Sequence, residues 1–145
     1  MRFERAAILW RLGLLLPEAL AEAALRELQD GPYSFALVEL GTEHDLGFQT
    51  IAKLIETAAR EIGVALPTQI QAIHLLACEI AHEIVSGQAD PLSGAERLAK
   101  LYFAGLDTDD PVEALAFFSG CDEHVIASGI VEEAGALLAK WKTRP

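Results

Sequence analysis

The chain has 145 residues, 52% of them hydrophobic, and a formal net charge of −11 from 22 acidic and 11 basic side chains. That length suits a single domain over residues 1–145, able to bury about 68–70% of its unfolded surface without a covalent staple. The acid excess excludes direct binding to nucleic acid phosphates, and no run approaches the ~20 apolar residues that a membrane span requires.

The amino end carries Arg2 and Arg5 ahead of an apolar run, but Arg11 interrupts that run and Glu4 offsets the leading charge, so no secretory leader is expected. Cys78 and Cys121 stand far apart and outside any CxxC pattern, which suggests neither a disulfide framework nor a cysteine zinc site. Reduced thiols in the cytoplasm fit this usage.

Residues 2–13 read as a first helix, with Ile8, Leu9 and Leu12 on one side and the arginines largely on the other. Pro17 opens a second, in which Leu20, Ala24, Leu25 and Leu28 recur at helical spacing until Gly31 and Pro32 stop it. Residues 33–40 are apolar enough for a short buried strand. A lone strand has no partner in this chain, so a short helix is preferred.

Over Asp45–Ile62, Phe48, Ile51, Ile55, Ala58 and Ile62 alternate steps of three and four along one stripe, and Gly63 ends the run. Over Pro67–Ser86 the same pattern returns in Ile70, Ile73, Ala77, Ile80 and Ile84, headed by Thr68 and Gln71 at capping-box spacing. Leu76, Ala81 and Val85 widen that stripe, which predicts a central helix touching neighbours on two sides. Gly87 closes it, and Asp90 with Pro91 opens the next helix, whose buried face is expected in Leu92, Ala95, Leu98, Ala99 and Tyr102. Asp110, Pro111 and Glu113 repeat the device before Leu115, Phe117 and Phe118, and a last helix, starting near Asp122 or after Gly129, ends at Leu137, Leu138 and Trp141. With no repeat of fixed period, the expected fold is an all-α, irregular bundle of six to eight short helices.

His74, Cys78 and His82 fall at four-residue steps on the central helix. Imidazole and thiolate are zinc ligands, yet three groups so spaced span about 12 Å of helix axis, too far for one ion. Glu79 and His82 form an ExxH pair of the kind di-iron bundles use, but those need two such pairs and two further glutamates, and no second ExxH occurs in this chain. Helical geometry sets His74 beside the buried stripe and His82 toward solvent. The expectation is therefore no cofactor, with a metal-dependent enzyme using His74, Glu79 and His82 as the alternative.

Other chemistry fares no better. Asp107, Asp109 and Asp110 resemble a calcium loop in composition, but Val112 and Phe118 occupy the positions where an EF-hand needs glycine and glutamate. Ser93 and Ser119 lie outside any GxSxG elbow, and no glycine-rich phosphate loop occurs. Cys121 is followed by Asp122, Glu123 and His124, and the two carboxylates should raise its pKa rather than activate it.

The stretch GQADPLSGAERLAKL, with Gly87, Asp90, Pro91, Gly94, Ala95 and Leu98, resembles a segment of small bacterial helical proteins in which a helix ends in glycine, a short acidic loop follows and a GA-containing helix begins. The resemblance covers about residues 70–140 and implies an all-helical fold with no activity attached. Some of those stand-alone bacterial proteins resemble toxin-immunity proteins in size and acidity, which by analogy implies an inhibitor-like role.

Charge supplies the functional lead. Residues 79–133 hold 12 acids against Arg97 and Lys100, a balance of −10. The expectation is a non-catalytic interaction module whose acidic surface, at Asp107, Asp109, Asp110, Asp122 and Glu123 above all, meets a basic protein. Tyr102, Phe103 or Phe117 would supply anchors, and self-association through an apolar helix face is a competing use of them.

Overall fold

In the computed structural model, which describes residues 1–106, 112–122 and 124–141, every regular element is helical. The described residues form α1 (Phe3–Arg11), α2 (Pro17–Asp30), α3 (Phe35–Thr42), α4 (Phe48–Ile62), α5 (Gln69–Val85), α6 (Pro91–Gly105), a 3-10 turn η1 (Glu113–Leu115), α7 (Ala116–Ser119) and α8 (Ala127–Trp141). The fold is all-α, with no strand among the described residues. Contacts group into two units, Met1–Pro67 and Thr68–Pro145.

In the first unit, α1 buries Phe3, Ala6, Ala7 and Trp10, a series at steps of three and four, together with Ile8 and Leu12. The sequence reading centred this face on Ile8, Leu9 and Leu12 and missed Phe3 and Trp10. Small Ala6 and Ala7 lie between these two aromatics and conceal the period from a search for large apolar residues. Pro17 stands at the first position of α2, which sets Leu20, Ala23 and Ala24 inward. Leu25 is 40% exposed, and its covered side lies over α3 at Gly41, where an added Cβ would come within 2.5 Å of its Cδ2.

Residues 33–40, ambiguous by pattern, enter α3. Ser34 caps it, accepting a hydrogen bond from the Leu37 amide at 3.2 Å, and its own hydroxyl donates to Glu61 Oε1 of α4 at 2.7 Å. The same carboxylate oxygen accepts from the Ala36 amide at 3.3 Å. Helix α4 sets Ile51, Ile55, Ala58 and Ala59 into the core. Phe48, expected on that buried stripe, is instead 70% exposed, with one face stacked on Trp10 at a centroid distance of 4.8 Å. It occupies the first position of α4, where the helix begins and its stripe meets solvent. Gly63 ends α4 in the left-handed region, φ +75°, which only glycine enters without strain.

In the second unit, α5 starts in the expected capping box: the Gln71 amide donates to Thr68 Oγ1 at 3.3 Å and the Thr68 amide to Gln71 Oε1 at 2.9 Å. Ile73, Leu76, Ala77, Ile80, Ala81 and Ile84 are buried, while Val85 is exposed. The wide apolar arc packs against both α6 and α8. Gly87 turns the chain at φ +81°, and Asp90 caps α6 by accepting from the Ser93 amide at 3.1 Å. Gly94 lets α6 approach α5 so closely that a Cβ there would overlap the Ile84 side chain.

The buried face of α6 is Gly94, Ala95, Leu98, Leu101 and Gly105, shifted toward Leu101 from the Ala99 and Tyr102 of the sequence reading. Leu115 and Phe118 fill the interior from η1 and α7. Helix α8 begins at Ala127, between the two expected starts, and buries Ile130, Ala134, Leu137 and Trp141.

Candidate functional site

Of the acidic positions singled out in sequence, Asp107, Asp109, Asp110 and Glu123 lie outside the described residues. Asp122 is exposed, and its carboxylate accepts from the His124 amide at 2.8 Å. Beside it, the Cys121 thiol reaches the Phe117 carbonyl oxygen at 3.5 Å. Partial burial pushes the Cys121 pKa up, and the negative charges of Asp122 and then Glu133 add to the effect. The thiol is thus held protonated rather than activated, as the acidic neighbourhood suggested.

Asp90, Glu96, Glu113, Glu132 and Glu133 are also exposed. Glu83 is half-buried and forms an ion pair with Arg97 at 2.6 Å, which ties up one of the two basic side chains between residues 79 and 133.

The aromatics near the end of α6 divide between inside and outside. Tyr102 is half-buried and meets Phe103 edge-on, whereas Phe103 itself is 57% exposed and Leu106 follows it at the surface. On α7, which packs against α6, Phe118 is buried while Phe117 remains 41% exposed, with rings edge to face at 5.4 Å. Sequence could name these aromatics but not sort them, since α7 has only four residues and carries no period.

The metal alternative rested on His74, Glu79 and His82. The His74 imidazole lies flat on the Trp141 indole, centroids 4.0 Å apart and planes 12° from parallel. Glu79 is half-buried and His82 is exposed, as the wheel geometry predicted for the histidine. Among the described residues, no three His, Cys, Asp or Glu side chains are placed to hold a metal ion.

Sequence reasoning passed over one concavity. In the first unit a cleft of about 230 Å³ carries Glu18, Glu43, His44 and Asp45 above apolar Leu20, Leu40 and Ile51. Asp45 adopts φ +60°, a left-handed turn in the α3–α4 connection. These residues come from the start of α2, from α3 and α4 and from the connection between the last two, with no motif in any of them, so nothing in the primary structure joins them.

Comparison of the chain with protein-family models, with curated proteins and with solved structures finds no match.

Proposed function

We propose that this chain is a non-catalytic protein-interaction module that recruits a basic protein through the acidic surface of its second half, in the manner of an inhibitor or immunity protein. The observation that carries the reading is the −10 balance of residues 79–133, combined with the exposure of Asp90, Glu96, Glu113, Asp122, Glu132 and Glu133. A patch of one sign raises the encounter rate with an oppositely charged protein and disfavours nucleic acid and acidic proteins. The exposed Phe103 and Phe117 give such an encounter complex apolar surface to hold.

The test is affinity capture from the source organism at ~0.15 M and at ~0.5 M salt, between which the Debye length falls from about 8 Å to a few Å. The expected result is a basic protein recovered at the lower salt and lost at the higher, with Asp122→Asn/Glu132→Gln/Glu133→Gln slowing its association. An acidic partner, or binding indifferent to both salt and the triple substitution, overturns the proposal.

A further inference from the structure

We infer that the exposed aromatic edge formed by the carboxy-terminal end of α6 and by α7, with Phe103 and Phe117 as its anchors, docks a partner segment whose apolar side chains are flanked by lysine or arginine. This rests on the reading of the second half as a surface that recruits a basic protein, and it names the place and the chemistry.

The interior of the second unit does not use these two rings. Leu98, Leu101, Leu115 and Phe118 are all buried, so the interior closes while Phe103 and Phe117 remain exposed. Helices α6 and α7 pack against each other and each leaves one phenylalanine exposed, and aromatic side chains are the usual anchors of protein interfaces.

The charge around them specifies the partner. Glu113 precedes Phe117 by one turn, and Cys121, whose thiol bonds to the Phe117 carbonyl, feels Asp122 and Glu133. Among the described residues, the one basic side chain within a turn of either anchor along the chain is Lys100, while Arg97, further back, is engaged by Glu83. The charge of Glu113 and Asp122, on either side of Phe117 along the chain, rejects an acidic segment. It favours Lys or Arg, whose alkyl stems cover the rings and whose charged heads meet either the ring faces or the carboxylates.

The experiment titrates the full chain with three labelled synthetic peptides of equal length: an amphipathic leucine/lysine helix, a lysine/serine/glycine peptide of the same charge, and a leucine/glutamate helix. Tightest binding is expected for the leucine/lysine helix, weakened about tenfold or more in F103S/F117S. A control pair in the first unit, Y33S/F35S, should stay within about twofold, because those exposed rings have no part in the site. The single F103S variant reads the same site should the Phe117 substitution disturb Phe118. If the lysine/serine/glycine peptide binds as tightly and the phenylalanine variants change nothing, acidic recruitment stands and aromatic docking falls. Equal binding of the leucine/glutamate helix removes the charge reading itself, and absence of binding by every peptide overturns the docking site.

Discussion

Ser34 and Glu61, 27 residues apart, jointly close the amino end of α3: the buried hydroxyl donates to the carboxylate at 2.7 Å while accepting from the Leu37 amide, and the carboxylate takes the Ala36 amide. A helix start is held from another helix, not by its own sequence alone. Ser34 is 1% exposed, so its hydroxyl depends on Leu37 and Glu61 for partners, whereas Glu61 itself is open to solvent.

Ser34→Ala should therefore cost about 1–2 kcal/mol, since it removes a cap and strands a buried amide. Glu61→Gln should cost less than about 1 kcal/mol, because the amide oxygen still accepts both bonds. Urea unfolding checks both through the midpoint at constant slope. A Ser34→Ala protein as stable as the parent would show that the network contributes nothing.

Two helical glycines should respond in opposite directions. At Gly94 a Cβ overlaps Ile84, so Gly94→Ala should destabilise by roughly 1–2 kcal/mol despite alanine's better helix propensity. The loss should shrink in an Ile84→Ala background, where the obstructing atoms are gone. At Gly135 nothing lies within 4 Å of the added Cβ, so Gly135→Ala should stabilise by about 0.5–1 kcal/mol. Equal effects at the two sites would mean that the α5–α6 approach is looser than described.

Ile80 lies in the buried stripe of α5 at 6% exposure. Ile80→Asp places an uncompensated carboxylate among apolar side chains and should abolish cooperative melting at neutral pH. Survival of a sharp thermal transition, followed by circular dichroism, would contradict the burial of that face.

Alkylation kinetics test the Cys121 environment. In a Cys78→Ala background, the rate against pH should rise with a midpoint above that of an ordinary thiol, because only the thiolate reacts and both burial and charge disfavour it. Asp122→Asn with Glu133→Gln should lower the midpoint only part of the way, since burial is the larger cause. A midpoint unmoved by the double substitution would separate Cys121 from those carboxylates.

Helix boundaries were the most legible part of the chain, because their causes are local. Pro17, Gly63, the Thr68–Gln71 box, Gly87 and Asp90–Pro91 each act within one turn, and each acts as read. The nature of residues 33–40 was harder, since the cap on Ser34 is completed by Glu61 from a distant helix. Inward and outward placement failed where elements are short or end, and within α6 it was rotated toward Ala99 and Tyr102 from Leu101. Phe48 begins its helix, and Phe117 and Phe118 share a four-residue one, so period alone could not tell which ring is covered. His82 was placed correctly toward solvent because α5 is long enough for the wheel to hold. The cleft at Glu18 and His44 was invisible because three helices and one connection, not a motif, assemble it.

The chain's two tryptophans fall one to each unit, Trp10 against Phe48 and Trp141 against His74, and both indoles are almost wholly covered. Each unit thus contains its own intrinsic optical reporter. Fluorescence from Trp141→Phe follows the first unit alone and fluorescence from Trp10→Phe the second. Superimposable denaturation curves from the pair would mark one cooperative transition, and staggered curves would resolve two.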